Sequence, residues 1–188
     1  MKLETNTYSF TKCLASSHAA EELPFWEEIY RQAFPNMQSM ISHKQNGTHQ
    51  VVGIDRSIIL NNSKQILIDE KLRYRNRNGK AYSDIALEYV ANDRRGTPGW
   101  VCKSLLSDYI AYAIAPLGVC YLLPVLQLQA AWQANGQQWL QDECRYKFST
   151  PNEGYNTLNV CVKPDELFRA MWPHWRVDFT AYDNGDQI

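Results

Sequence analysis

Apolar residues recur at helical spacing from Phe25 to Phe34, at positions 25, 26, 29, 30, 33 and 34, between Pro24 and Pro35. Proline suits the first position of a helix and stops one that it follows, so this pattern predicts a helix. On its wheel Glu27 sits near the edge of the apolar stripe, while Glu28 points well away from it. Residues 1–23 show little periodicity, and 36–48 read as loop ending in Asn46-Gly47. Two β-branched runs follow, His49–Leu60 and Gln65–Tyr74, joined by the turn residues Asn61-Asn62-Ser63-Lys64. That is the pattern of a β-hairpin.

A polar loop over 75–83 leads to a third strand at Ile85–Ala91, and 92–99 (NDRRGTPG) breaks the pattern. Val101–Ala115 reads as a helix, Val119–Leu123 as a strand ended by Pro124, and Val125–Ala134 as a helix stopped by Gly136. Leu158–Val162 and Asp165–Trp172 read as a last strand and helix. Consecutive strands that then alternate with helices predict an α/β fold, a mixed central sheet flanked by helices on both faces.

Composition narrows this picture without redirecting it. A chain of 188 residues with 45% hydrophobic and 21% charged positions fits one domain with a full core. The net charge of −1 excludes a globally basic nucleic-acid binder and leaves local patches as the route to a polyanion. The five cysteines form no CxxC pair, which predicts reduced thiols and a cytoplasmic protein. The polar N-terminus lacks the apolar stretch of a secretory signal. The longest apolar stretch, 109–126, is broken by Pro116, Gly118 and Pro124, so no membrane span is expected. The sequons at Asn46 and Asn61 then mark turns.

Chemistry concentrates on the hairpin. Gly53-Ile54-Asp55 lies in its first arm and Asp69-Glu70-Lys71 in its second. Alternation along a strand gives Asp69 and Lys71 one face and Glu70 the other, and the turn at 61–64 brings Asp55 toward the same pair. Two carboxylates and an ammonium among β-branched neighbours are costly unless paired or bound to an ion. Two close carboxylates suit Mg²⁺, which takes few protein oxygens and leaves room for water and phosphate. A lysine beside them can orient a water or stabilise developing negative charge. The bland alternative is an ion-pair ladder on a half-exposed hairpin.

This pattern resembles the PD-(D/E)XK nuclease superfamily. Asp55 matches its first acid, Asp69 its second and Lys71 its lysine, and Ile54 replaces the nominal proline. The expected helix–strand–strand–strand–helix–strand order over 25–123 is similar to the family core, with 124–188 as C-terminal additions. The resemblance implies a restriction-endonuclease-like core and hydrolysis of DNA, in preference to RNA, by a small prokaryotic or phage-like enzyme. It also implies Mg²⁺ or Mn²⁺ held by Asp55, Asp69 and the backbone carbonyl of Glu70, with Lys71 acting on the attacking water. An acid on the first helix, Glu27 before Glu28, often joins such sites, and relatives often form homodimers. The alternative is a non-catalytic nucleic-acid-binding or protein-interaction module on the same fold.

Around this core the remaining candidates carry less. Glu88 on the third strand either faces the cleft or is a solvated strand charge. Lys103 and Asp108 read as the surface of the 101–115 helix. Lys71, Arg73, Arg75, Arg77 and Lys80, with Arg94 and Arg95, form the local basic clustering that phosphates require. Tyr74 and Tyr82 flank that run, where packing competes with base stacking. His18, His43, His49 and His174 lack paired spacing, which argues against zinc.

Overall fold

A computed structural model describes residues 23–43, 47–76, 78–171 and 175–181. The first helix, α1 (Phe25–Ala33), forms as its periodicity predicts, burying Phe25, Trp26, Ile29, Tyr30 and Ala33. Its stripe lies on one face of a six-stranded mixed sheet, against Ile58, Ile68, Ala111, Ala113, Cys120, Leu122 and Val177. That sheet runs β1-β2-β3-β6-β7-β10, from β1 (Met37–Ser42), β2 (Arg56–Leu60), β3 (Gln65–Arg73), β6 (Tyr109–Ile114), β7 (Val119–Pro124) and β10 (Trp175–Asp178). Only β3 and β6 pair in parallel; every other neighbouring pair is antiparallel.

The opposite face is covered mainly by a second sheet rather than by helices alone. Its order is β5-β4-β9-β8, from β4 (Ile85–Asn92), β5 (Thr97–Pro98), β8 (Lys147–Asn152) and β9 (Tyr155–Val162). Between the sheets a second core gathers Ile85, Leu87, Ile110, Tyr112, Val160 and Val162. The helices α3 (Val125–Gln141) and α4 (Pro164–Met171) close it with Leu128, Trp139, Leu167 and Met171. The protein is thus mixed α/β, as expected, but among the described residues α1 is the one helix packed on the first face, and a sheet shares the second.

Four further expectations need correction. Residues 101–115 are not a helix: 101–108 is turn and loop, and 109–114 is the strand β6. This strand is buried on both faces, so its sequence is continuously apolar and loses the period-two signature. Its large residues Ile110, Tyr112 and Ile114 enter one core, and the small Ala111 and Ala113 enter the other. Residues 37–42 are a strand where a loop was expected; β1 pairs along β2 with a largely exposed side-chain pattern. Only 56–60 of the expected first arm is extended, because 47–51 forms a short helix, α2 (Gly47–Val51). Gly136 lies inside α3 under the Trp132 indole and does not stop the helix. The hairpin β2–β3 itself forms as predicted, with Arg56 opposite Ile68 and Ile58 opposite Ile66. Ser63 takes the positive φ of 63° that its turn requires. Cys13, His18, Asn46, Arg77, Trp172 and His174 lie outside the described residues.

Candidate functional site

Asp55, Asp69 and Lys71 come together on the face of β3 that looks toward the second sheet. Asp55 precedes β2 rather than lying within it. Its backbone N–H donates to the Ile68 carbonyl (2.8 Å), and its carbonyl accepts from His43 N–H (2.8 Å). A left-handed turn at Gly53 (φ 73°) delivers the chain to that point. A Cβ at Gly53 would stand 2.5 Å from Leu105 Cδ2 and 3.6 Å from Asp69 Oδ2. The missing side chain therefore lets Leu105 pack against this turn, next to the Asp69 carboxylate.

Asp69 is 3% exposed, and Lys71 Nζ lies 2.5 Å from its Oδ1. Burial raises Asp69, the Lys71 charge opposes that rise, and the adjacent Asp55 carboxylate adds to it, leaving Asp69 at about 6. Burial alone would lower the Lys71 ammonium, but Asp69, Asp55 and more distantly Glu88 together hold it above its ordinary value. The cation therefore keeps its proton, and the crowded acid gives one up reluctantly. Asp55 Oδ2 accepts the Glu70 backbone N–H at 2.8 Å. Because the N–H and C=O of one strand residue point to the same side, the Glu70 carbonyl belongs to this edge as well.

The Glu70 side chain goes the other way, as alternation requires. On the α1 face it accepts Arg56 Nε (2.6 Å) and the Tyr30 hydroxyl (2.7 Å), and both charged residues are buried. Neither acid of the first helix reaches the site. Glu27 pairs with Arg31 on the surface (2.6 Å), and Glu28 accepts the Thr180 N–H (3.2 Å). Glu88 of β4 does face the cleft: burial raises its carboxyl, while Lys71, the Trp100 backbone N–H and Lys103 counter that rise. Gly99 packs so tightly under β4 that a Cβ there would lie 2.1 Å from the Glu88 carbonyl oxygen. Asp108 is structural, since its carboxylate accepts Leu67 N–H (2.8 Å) at the start of β6.

The basic run divides. Lys71 and Arg73 share the site face; Arg75 instead bonds the Gly79 carbonyl (3.0 Å), and Arg94 and Arg95 line a separate cleft with Glu153 and Tyr155. Tyr74 packs on the α1 side, whereas Tyr82 lies under the Arg73 guanidinium.

A histidine pair beside Asp55 escaped the sequence reading. The rings of His43 and His49 stack at 4.3 Å and 8°, and His43 Nε2 is 2.6 Å from Ser57 Oγ. Burial, then His49 and Arg56, lower His43. His49 Nδ1 is buried without a hydrogen-bond partner. The only available clue was parity: His43 falls opposite Asp55 once β1 is recognised as a strand.

Among the described residues no three His, Cys, Asp or Glu side chains form a metal cage. A two-carboxylate site completed by a backbone carbonyl and water remains within what Mg²⁺ accepts. Two acids crowded against one ammonium, with the Glu70 backbone beside them, are a donor set that suits such an ion. The comparisons with known proteins return nothing: no family model, curated protein or solved structure matches the chain.

Proposed function

We propose that this protein is a divalent-cation-dependent nuclease that hydrolyses phosphodiesters in DNA, with a restriction-endonuclease-like core of the PD-(D/E)XK type. The observation that carries this reading is the uncompensated pair Asp55–Asp69, one of them buried and at about 6, beside a protonated Lys71. A structural ion pair would balance its charges; this group is one positive charge short.

The topology gives partial support. α1 leads into three antiparallel strands, β1-β2-β3, and the chain then returns as β6, parallel to β3. The sequence predicts strands at 49–60, 65–74 and 85–91 after the helix; here the strand 37–42 joins the first two, and 85–92 belongs to the second sheet. The crossover departs from the family pattern, because β4, β5 and a loop replace its helix. Among the described residues no helix is long and apolar enough to cross a membrane. We place the protein in the cytoplasm, where free thiols such as Cys102 and Cys144 stay reduced.

In this reading Asp55, Asp69 and the Glu70 carbonyl would hold Mg²⁺ or Mn²⁺. Bound there, the ion supplies charge neutralisation at the scissile phosphate and lowers the pKa of nearby water. Asp69 must be ionised to bind it, so ion binding would be favoured above about pH 6 and weakened below it. With Asp69 engaged by such an ion, Lys71 Nζ would be available to orient the attacking water and to donate to a phosphoryl oxygen. Asp69 and Asp55, with a smaller contribution from Glu88, keep the lysine charged. The Gly53 turn and Leu105 pack against the Asp69 side of this group.

The test is direct. The purified full chain should nick or degrade DNA with Mg²⁺ or Mn²⁺ and stop on chelation. Asp69→Ala and Lys71→Ala should each lower the rate by on the order of 10²–10³-fold or more. Activity unchanged in both variants removes the assignment. A mobility shift of DNA without cleavage in any divalent ion would favour a non-catalytic binding module.

A further inference from the structure

The face that carries Asp69 and Lys71 continues to Arg73, the next residue of the same parity on β3, and there the surface changes character. The Arg73 guanidinium lies 3.7 Å over the Tyr82 ring and 5.8 Å from the Phe148 ring centre. Phe148 in turn stacks with Tyr146, centres 5.6 Å apart and planes at 23°. These side chains border a groove of about 820 Å³ whose rim is completed by Asn78 and Asn152. Tyr146 is 65% exposed although it is a large aromatic ring.

The strand register keeps the platform in place. Lys147, between the two aromatics, turns its ammonium to the carbonyls of Leu140 (3.0 Å) and Asp142 (2.8 Å). Tyr146 is tied by its own carbonyl, which accepts Cys161 N–H at 2.9 Å. The two rings therefore face the groove together, and Arg73 is pinned between Tyr82 and the Tyr112 hydroxyl (3.4 Å).

We infer that this groove binds an unpaired nucleobase of the substrate strand, so that the enzyme acts on single-stranded DNA or on a single-stranded end. The inference rests on the nuclease reading above and specifies its substrate class. A flat aromatic surface backed by a guanidinium recognises π-faces of bases without regard to sequence. In a duplex those faces are covered by neighbouring bases, and only a splayed strand can present one. Arg73 is two residues from Lys71 and four from Asp69, or about 7 and 13 Å at the rise of a strand. Asparagine side chains at the rim add donors and acceptors for base edges. A nucleobase fits this lining better than a phosphate would, because the Arg73 cation is already stacked and hydrogen-bonded.

The test separates this inference from the nuclease assignment by reading binding alone. Fluorescence anisotropy of the full chain would be measured with a labelled single-stranded oligonucleotide, and with its duplex, in EDTA. Tyr146→Ala and Phe148→Ala should each weaken single-strand binding about 5- to 100-fold and change duplex binding by less than about twofold. Phe148→Trp should retain it. Tyr146 is exposed, so its truncation leaves the core intact, and circular dichroism of both variants checks the fold. Unchanged single-strand affinity in both alanine variants, or equal losses on duplex and single strand, would overturn the groove. Single-strand binding that needs the rings, in a protein that never cleaves, would keep the groove and remove the nuclease. Cleavage that ignores Tyr146 and Phe148 on single strands would do the reverse.

Discussion

Asp69 and Glu70 are consecutive carboxylates and both are buried, yet the two faces of β3 treat them in opposite ways. On the α1 face Glu70 meets the Arg56 guanidinium at 2.6 Å and the Tyr30 hydroxyl at 2.7 Å, so that one negative charge finds one positive charge and a neutral donor. On the cleft face Asp69 shares a single ammonium with Asp55 and, further off, with Glu88. The first arrangement is complete in itself. The second sets two carboxylates against one ammonium, and burial, opposed by Lys71 and aided by the Asp55 charge, raises Asp69 to about 6. The difference teaches that two buried acids on one strand can differ in charge balance, and the proposed site lies on the unbalanced side.

The largest effect that would break this contrast is on the balanced side. Glu70→Gln leaves the buried Arg56 without its counter-charge and should cost about 3–5 kcal/mol of stability, read by denaturant unfolding. Remaining folded molecules should still bind divalent ions, because the site uses the backbone of residue 70 and not its carboxylate. A loss of ion binding in the folded fraction would erase the distinction between the two faces.

The next effect sharpens the unbalanced side through pH. Asp69 rises from 3.8 in the unfolded chain to about 6 in the fold, so the stability tied to its protonated form is complete below pH 4. It is lost as pH climbs through 6. Metal-free protein should therefore lose up to about 3 kcal/mol from this group between pH 4 and pH 7.5, since a tenfold difference in proton affinity is worth ~1.4 kcal/mol. Asp69→Asn should flatten that fall, and Mg²⁺ should offset it near neutrality. Parallel pH profiles for wild type and Asp69→Asn would show that Asp69 titrates normally. The smallest effect lies at Gly53: Gly53→Ala forces an L side chain into a left-handed turn and against Leu105. It should cost about 1–2 kcal/mol and weaken ion binding more than Glu70→Gln does.

Much of the site was legible in the sequence because strand parity is a local rule. The turn at 61–64 and the alternation of 69, 70 and 71 put Asp69 and Lys71 on one face and Glu70 on the other, and the structure places them so. Asp55 reaches the pair by a left-handed turn instead of a strand, which the β-branched run 51–60 concealed. The fold was harder to read for two opposite reasons. β6 is apolar on both faces, so a six-residue strand blended into a longer apolar stretch resembling a helix. β1 is an exposed edge strand with Gln38, Ser39 and Ser42, and it carries too little apolar pattern to register. Losing β1 also hid His43, whose place beside Asp55 depends on pairing between distant residues. The Tyr146–Phe148 platform was invisible for the same reason, since it meets Arg73 only through the packing of one sheet on another.

The most direct test of the cation site is a crystal structure of the protein soaked in Mn²⁺, with the anomalous signal of the metal mapped. A peak bounded by the Asp55 and Asp69 carboxylates and the Glu70 carbonyl, with Lys71 Nζ withdrawn from Asp69, is the expected result. Asp69 and Lys71 still closed on each other at saturating Mn²⁺, with no peak between the two acids, would contradict it.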